Sequence, residues 1–272
     1  MNRVGEHPVT AGPLAPRWLA WWLEAPRAGV TQVARVSLEN AGTATWRSHG
    51  ENGVQASFHW LDPLGNPIVW DGPRTPLPRP VAPGERVEIQ LAVSAPRPPG
   101  PYRLSFDLVE EHRFWFEEVG CTPLTVDLEV APRIAERRLA VHVHGGADPA
   151  TASALATQEE PVVEADGVAV AHLVAGAVPP RDWSRLLLDA HAEGWGAVGT
   201  ALTPAGREQE LEPWRGNGGR NPRFGRPLLL PSLLDGVEPS ELFGLPAHDG
   251  PGGLFDGRIS VTLPRQSDHR QR

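Results

Sequence analysis

The sequence predicts a multidomain β plus α/β protein: an antiparallel β-sandwich over residues 17–132, then a small α/β domain over residues 139–264. Three observations carry this. Segments of the first half alternate apolar and polar residues with a period of two, the pattern of half-buried strands. Gly, Pro and Asn clusters punctuate them as turns. After a charged run at 133–138, short apolar runs alternate with helical spacings instead.

The strands come first. Ala34, Val36 and Leu38 point one way and Arg35, Ser37 and Glu39 the other. Val54, Ala56, Phe58 and Trp60 alternate with Gln55, Ser57 and His59; Val87, Ile89, Leu91 and Val93 with Glu88, Gln90 and Ala92. Tyr102, Leu104, Phe106 and Leu108 alternate with Arg103, Ser105 and Asp107; Leu124, Val126, Leu128 and Val130 with Thr125, Asp127 and Glu129. One apolar face per strand implies two sheets stacked face to face, each covered on one side only. Asn40-Ala-Gly, Asp62-Pro-Leu-Gly65 and Pro83-Gly84 read as turns, and Arg97-Pro-Pro-Gly-Pro101 lies outside the ladders because proline has no N–H to donate. About seven short strands over about 115 residues match an immunoglobulin-type sandwich in count and size.

The bulk numbers agree. A chain of 272 residues fits two domains, each large enough to bury a core. With 29 Gly and 30 Pro, turns are many and long helices few. All 25 basic residues are Arg, which reads as codon bias. The net charge of −8, without a basic run, argues against nucleic acid as a partner. A single cysteine, Cys121, excludes an intrachain disulfide. Residues 1–16 read as a flexible arm without the apolar core of a signal peptide, and residues 265–272 as a disordered end. No apolar stretch is long enough to span a membrane, so the expected location is the cytoplasm.

An ordered series in the first half resembles a bacterial immunoglobulin-like domain of the kind that accompanies polysaccharide export and sugar-transfer proteins. The series is V-S-L-E-N-A-G-T-A-T-W (Val36 to Trp46), F-H-W-L-D-P-L-G-N-P (Phe58 to Pro67), R-T-P-L-P (Arg74 to Pro78), V-A-P-G-E (Val81 to Glu85) and P-P-G-P-Y-R-L-S-F-D-L-V (Pro98 to Val109). In it Tyr102 resembles a tyrosine corner, its hydroxyl returning to nearby backbone.

Seven of the ten tryptophans lie here: Trp18, Trp21, Trp22, Trp46, Trp60, Trp70 and Trp115. Trp46 and Trp60 are expected in the core. Pyranose C–H faces stack on aromatic rings while Arg or Asp binds hydroxyls, so Trp70, Arg74, Arg113 and Trp115 are candidate saccharide-binding residues; the alternative is that these rings cover the ends of the core. The doublet Trp21-Trp22 sends one ring to each face of a strand, so one of them faces outward.

In the second half, Leu139 to Val143 is a short strand, Pro149 to Gln158 an alanine-rich helix, and Val168 to Val174 a strand. Arg181 to Glu193 spaces Trp183, Leu186, Leu187 and Ala190 as a helix, with Asp182 in its first turn and Gly194 as its stop. Gly196 to Leu202 is a last strand. This order predicts a parallel core. V-H-V-H-G-G-A-D-P-A-T (Val141 to Thr151), A-H-L-V-A-G-A-V-P-P-R-D-W-S-R-L-L (Ala171 to Leu187) and G-A-V-G-T-A-L (Gly196 to Leu202) resemble part of a family-2-type glycosyltransferase of the GT-A fold. The resemblance places a nucleotide at the first loop, where His144 and Asp148 are the candidate contacts. It also places a metal-binding Asp-x-Asp pair where this chain reads Val174-Ala175-Gly176. Without those carboxylates nothing there grips a cation–diphosphate pair, which implies a truncated, non-catalytic relative, with no metal and no cofactor expected.

Other motifs fit their own chemistry poorly. Gly194-Trp-Gly196-Ala-Val-Gly199 spells G-x-G-x-x-G, but a helix precedes it and a strand follows, the reverse of a dinucleotide site. His142 and His144 share a strand face and could share a metal, against the simpler reading of ordinary loop histidines. His144-Gly-Gly146 is similar to an esterase oxyanion loop, yet no G-x-S-x-G elbow accompanies it. Arg215, Arg220, Arg223 and Arg226 flank glycines that could cradle an anion, with Arg220 the candidate contact, against a solvated loop.

The function these readings favour is a non-catalytic accessory protein of glycan or cell-envelope polysaccharide assembly, whose partner is a saccharide or an envelope-assembly protein. The alternatives are a metal-independent glycosyltransferase using Asp148, Asp166 or Asp182, and a purely structural interaction module.

Overall fold

The computed structural model describes residues 1–9, 11–50, 53–204, 215–217, 232–235, 237 and 252–263. The chain divides into two compact units, Met1–Ala131 and Pro132–Arg272. It is β-rich, and the helices among the described residues are short.

The strands of the first unit are β1 (Asn2–Arg3), β2 (Pro16–Trp22), β3 (Thr31–Asn40), β4 (Val54–Leu61), β5 (Pro67–Val69), β6 (Thr75–Pro76), β7 (Arg86–Ser94), β8 (Gly100–Glu110), β9 (Phe114–Trp115) and β10 (Leu124–Val130). They form two antiparallel sheets. One runs β1-β2-β3-β7; the other runs β10-β8-β4-β5, with β6 beside β4 and β9 beside β8. The alternation read from the sequence sets which side chains go inward. In β7, Val87, Ile89, Leu91 and Val93 are buried while Glu88, Gln90 and Ala92 are exposed. Both sheets contribute to one core: Ala34, Val36 and Leu38 from one, and Phe58, Trp60, Leu104, Phe106 and Leu108 from the other, with Trp18, Trp46 and Phe116 among them. Each such Phe or Leu buried contributes about 1.5–3 kcal/mol, so the shared core outweighs any single polar contact.

Side chains build the turns. Buried Asn40 donates to the carbonyls of Ala44 at 2.8 Å and Val81 at 2.9 Å and accepts from the Gly42 N–H at 3.0 Å. Asp62 accepts from the N–H groups of Leu64 and Asn66, each at 2.8 Å, and Gly65 takes the positive φ of 93° that the turn needs. The Tyr102 hydroxyl donates to the Pro98 carbonyl at 2.8 Å.

Two features depart from the sequence reading. Residues 1–16, read as a flexible arm, include strand β1, which pairs with Trp21 and Ala20, and Val4 and Leu14 pack on the core. The second departure concerns the six-stranded sheet, which is not covered on one side only. Ser57, His59, Ser105 and Asp107, on the polar face of β4 and β8, are all buried.

The second unit contains β11 (Leu139–His144), α1 (Pro149–Ala156), β12 (Val162–Val163), β13 (Ala169–Val174), α2 (Trp183–Ala192), β14 (Ala197–Pro204), β15 (Arg215–Asn217), β16 (Ser232–Leu234) and β17 (Gly253–Leu263). Its sheet runs β12-β11-β13-β16-β14-β17-β15. The expected parallel core is corrected to a mixed sheet. β11 is parallel to β12 and β13, and β14 to β17, but β16 lies between β13 and β14, antiparallel to both. The physical reason lies in the stretch beyond Leu202, the last strand expected from the sequence. Its Ser232–Leu234 and Gly253–Leu263 runs pair with the sheet and bury Leu234, Leu254, Ile259 and Val261. Helix α2 lays Trp183, Leu187 and Leu188 into the same core, and Gly194 at φ 112° follows its end. The charged run at 133–138 is anchored here: Arg133 N–H donates to the Ala192 carbonyl at 3.0 Å, and Arg137 pairs with Glu160 at 2.8 Å and Asp189 at 2.7 Å.

Candidate functional site

The covered polar face of the six-stranded sheet is the most structured candidate. Strands β4 and β8 pair Ser57 with Asp107 and His59 with Ser105, so these four side chains form one patch. Two segments roof it: residues 70–74, after β5, and residues 114–119, where β9 runs into a 3₁₀ turn at Phe116–Val119. Ser57 Oγ donates to the Gly72 carbonyl at 2.8 Å, and the Gly72 N–H donates to the Phe58 carbonyl at 3.1 Å, pinning the first roof to β4. A Cβ on Gly72 would sit 2.7 Å from the Phe58 oxygen, so only glycine lets this segment approach so closely. The second roof is set by Glu118, whose carboxylate accepts from the Trp115 N–H at 2.9 Å, and by Gly120 at φ 89°.

The roof is aromatic. His59 stacks on Trp70 at 4.2 Å between centroids and meets Trp115 at 4.3 Å; Trp70 and Trp115 meet edge to face at 6.3 Å. Trp115 is buried at 7 % exposure, whereas Trp70 is 42 % exposed. Arg74 lies over the Trp115 ring at 4.4 Å and binds Glu111 at 3.1 Å, Asp71 at 2.9 Å and the Gly72 carbonyl at 3.0 Å. Three of the four sequence candidates here, Trp70, Arg74 and Trp115, thus converge. Arg113 does not join them; it pairs with Glu110 and covers Phe114 at 5.2 Å.

Beneath the roof lie titratable groups that strand alternation alone places on a solvated face. His59 is 1 % exposed, and its Nδ1 bonds the Trp70 carbonyl while its Nε2 has no partner. Burial pushes its pKa down, opposed by that carbonyl. Asp107, also 1 % exposed, accepts from the N–H groups of Leu108 at 2.8 Å and Glu117 at 3.2 Å. Burial nevertheless pushes its carboxyl up to about 7. Glu117 is pushed up by burial and by Glu118. A ring nitrogen of His59 and one carboxylate oxygen each of Asp107 and Glu117 lie within 4.8 Å of one another. A carboxyl near 7 suits acid–base chemistry, but a substrate reaches Asp107 only if the roof lifts. Chemically the site offers an exposed ring with flanking ionic groups, over a buried nitrogen–oxygen donor set. No sequence pattern marks a polar strand face as covered; the one signal is the clustering of Trp70 and Trp115 beside these strands.

The second unit holds His144 and Asp148. His144 Nε2 lies 3.1 Å from His172 Nδ1, and the register sets His142 directly beside His172, a third ring the sequence reading missed. Burial and the two neighbouring rings push His172 down. A cavity of about 40 Å³ is lined by His144, His172, Leu173, Val174, Ala177, Val261 and Leu263. Asp148 caps α1, accepting from the Thr151 N–H at 2.9 Å, after Gly145 and Gly146 with φ 95° and 97°. Asp182 sits at the start of α2, 3.6 Å from Arg185. Arg220, Arg223 and Arg226 lie outside the described residues, as does the end at 265–272. Trp22 is the outward ring of its doublet, exposed under Arg35 at 5.6 Å. None of the helices among the described residues is long and apolar enough to cross a membrane.

No family model matches the chain, and no curated protein matches its sequence. Among solved structures it is similar to a family 123 glycoside hydrolase from Clostridium perfringens, studied for glycolipid glycan hydrolysis. The match covers 44 % of this chain and 25 % of that one, with 14 % identity and a TM-score of 0.23, a likeness too slight to carry an argument.

Proposed function

We propose that this protein is a non-catalytic saccharide-binding accessory of glycan or cell-envelope polysaccharide assembly, acting in the cytoplasm. In this reading the first unit is an immunoglobulin-like sandwich that recognises the glycan, and the second a truncated glycosyltransferase-like scaffold. The observation that carries it is Trp70: a large ring, 42 % exposed, backed by His59 and bordered by Arg74, Asp71 and Glu111. A ring held from behind loses little freedom when a sugar stacks on it, and the ionic border offers donors and acceptors for hydroxyls.

What supports the scaffold role is the chemistry at the ends of β11 and β13. Val174, Ala175 and Gly176 carry no carboxylate, and Asp148 is engaged as a helix cap. The cavity beside His144, as lined by the described residues, is about 40 Å³, the size for a water molecule.

Isothermal titration of the full chain with neutral and uronic-acid-containing oligosaccharides tests the reading. Binding that weakens at least tenfold in Trp70→Ala, about 1.4 kcal/mol, is expected. No binding across the panel, or unchanged binding by Trp70→Ala, overturns it.

A further inference from the structure

The cluster beneath Trp70 has the construction of a metal site. The Trp70 carbonyl can only accept, so His59 Nδ1 carries the proton, and in the neutral ring Nε2 presents its lone pair. That nitrogen is buried and has no partner. Leaving such a group without one costs about 1–3 kcal/mol. Metal-binding histidines are oriented in this way, by a backbone carbonyl on the far nitrogen, and their carboxylate co-ligands are themselves hydrogen-bonded. Asp107 meets the second condition through the Leu108 and Glu117 N–H groups. Glu117 supplies a third donor: a ring nitrogen of His59 and one carboxylate oxygen each of Asp107 and Glu117 lie within 4.8 Å of one another.

We infer that His59, Asp107 and Glu117 bind one divalent ion of the zinc class. One imidazole with two carboxylates suits zinc and its first-row neighbours, whereas calcium and magnesium favour all-oxygen sets. Ligands about 2.0–2.2 Å from a tetrahedral ion stand roughly 3.5 Å apart, so donors that all lie within 4.8 Å of one another need close by no more than about 1.3 Å on binding. Glu117 supplies that movement, since it sits half-buried on a short 3₁₀ turn at the edge of the roof. The ion would lock the segment 114–119 onto the polar face of β4 and β8, beneath the rings of Trp70 and Trp115. This inference is independent of saccharide binding.

The test uses the full, untagged chain, stripped with a chelator and titrated with Zn²⁺ against a chromophoric competitor, with retained metal counted by mass spectrometry. One zinc per chain is expected, with affinity at least a hundredfold lower in Glu117→Gln and in Asp107→Asn, and unchanged in His144→Gln. Zinc should also raise the melting temperature of the unmodified chain and not that of Glu117→Gln. Glu117 is half-exposed, so Glu117→Gln remains decisive if Asp107→Asn fails to fold. Failure of the unmodified chain to bind zinc, full affinity in Glu117→Gln, or loss of zinc in His144→Gln overturns the inference.

Discussion

The imidazole of His59 lies against the indole of Trp70, centroids 4.2 Å apart and planes 24° from parallel, while its Nδ1 bonds the Trp70 carbonyl. One residue therefore ties the buried floor of the candidate site to its exposed surface. His59→Ala removes the stack and leaves a void between β4 and the roof. In the presence of chelator, urea denaturation should show a loss of about 2 kcal/mol or more, with a reduced near-ultraviolet dichroism signal from a loosened Trp70.

Gly72 sets how close the roof comes. An added Cβ meets the Phe58 oxygen at 2.7 Å and the Phe58 ring at 2.9 Å. Gly72→Ala should cost about 1–3 kcal/mol and unseat Trp70 and Arg74, whereas Gly5→Ala, where a Cβ meets nothing within 4 Å, should be close to neutral. Thermal denaturation of the two variants side by side checks this.

Asn40 closes the turn after β3 with three hydrogen bonds from a buried amide. Asn40→Ala leaves the Ala44 and Val81 carbonyls and the Gly42 N–H without that partner. The expected loss is about 2–4 kcal/mol, read as a lower urea midpoint at unchanged slope.

His191, on α2, gives the second unit a pH dependence. Its ring lies between the Trp195 carbonyl at 2.8 Å and the Ser232 hydroxyl at 2.7 Å. Burial pushes it from 6.5 down to about 4, opposed by the Trp195 carbonyl and reinforced by Arg133. The unfolded chain therefore binds the proton more readily. The stability is full above pH 6.5 and is lost as pH falls from 6.5 toward 4. The decrement between pH 7 and 5 is about 2 kcal/mol. Denaturant titration at both values should show it as the difference between the unmodified chain and His191→Gln, because Asp107 in the first unit, raised to about 7, gains stability over the same interval.

The sequence displayed the strands of the first unit because their inner residues repeat at a period that sterics impose on any half-buried sheet. It hid the candidate site because His59 and Asp107 occupy the polar positions of the alternation, the same positions that are exposed in β7. Only the tertiary placement of residues 70–74 and 114–119 buries them. Trp70, Arg74 and Trp115 were legible as a group through their residue types, while Arg113 shared the type but turned to Glu110. In the second unit, β16 and β17 escaped notice because Ser232–Leu234 is only three residues long and Gly253–Leu263 is interrupted by Gly257 and a register shift against β14. A strand whose partners are distant in sequence, as β16 is between β13 and β14, leaves little local periodicity to read.

Whether Trp70 is the surface that meets a glycan is best read from indole N–H resonances of the full chain during oligosaccharide titration, with the Trp70 signal assigned through Trp70→Phe. A glycan stacked on Trp70 gives a saturable shift of its indole while those of Trp183 and Trp195 stay fixed. Shifts confined to Trp22 or to the second unit, with Trp70 unmoved at saturation, would contradict it.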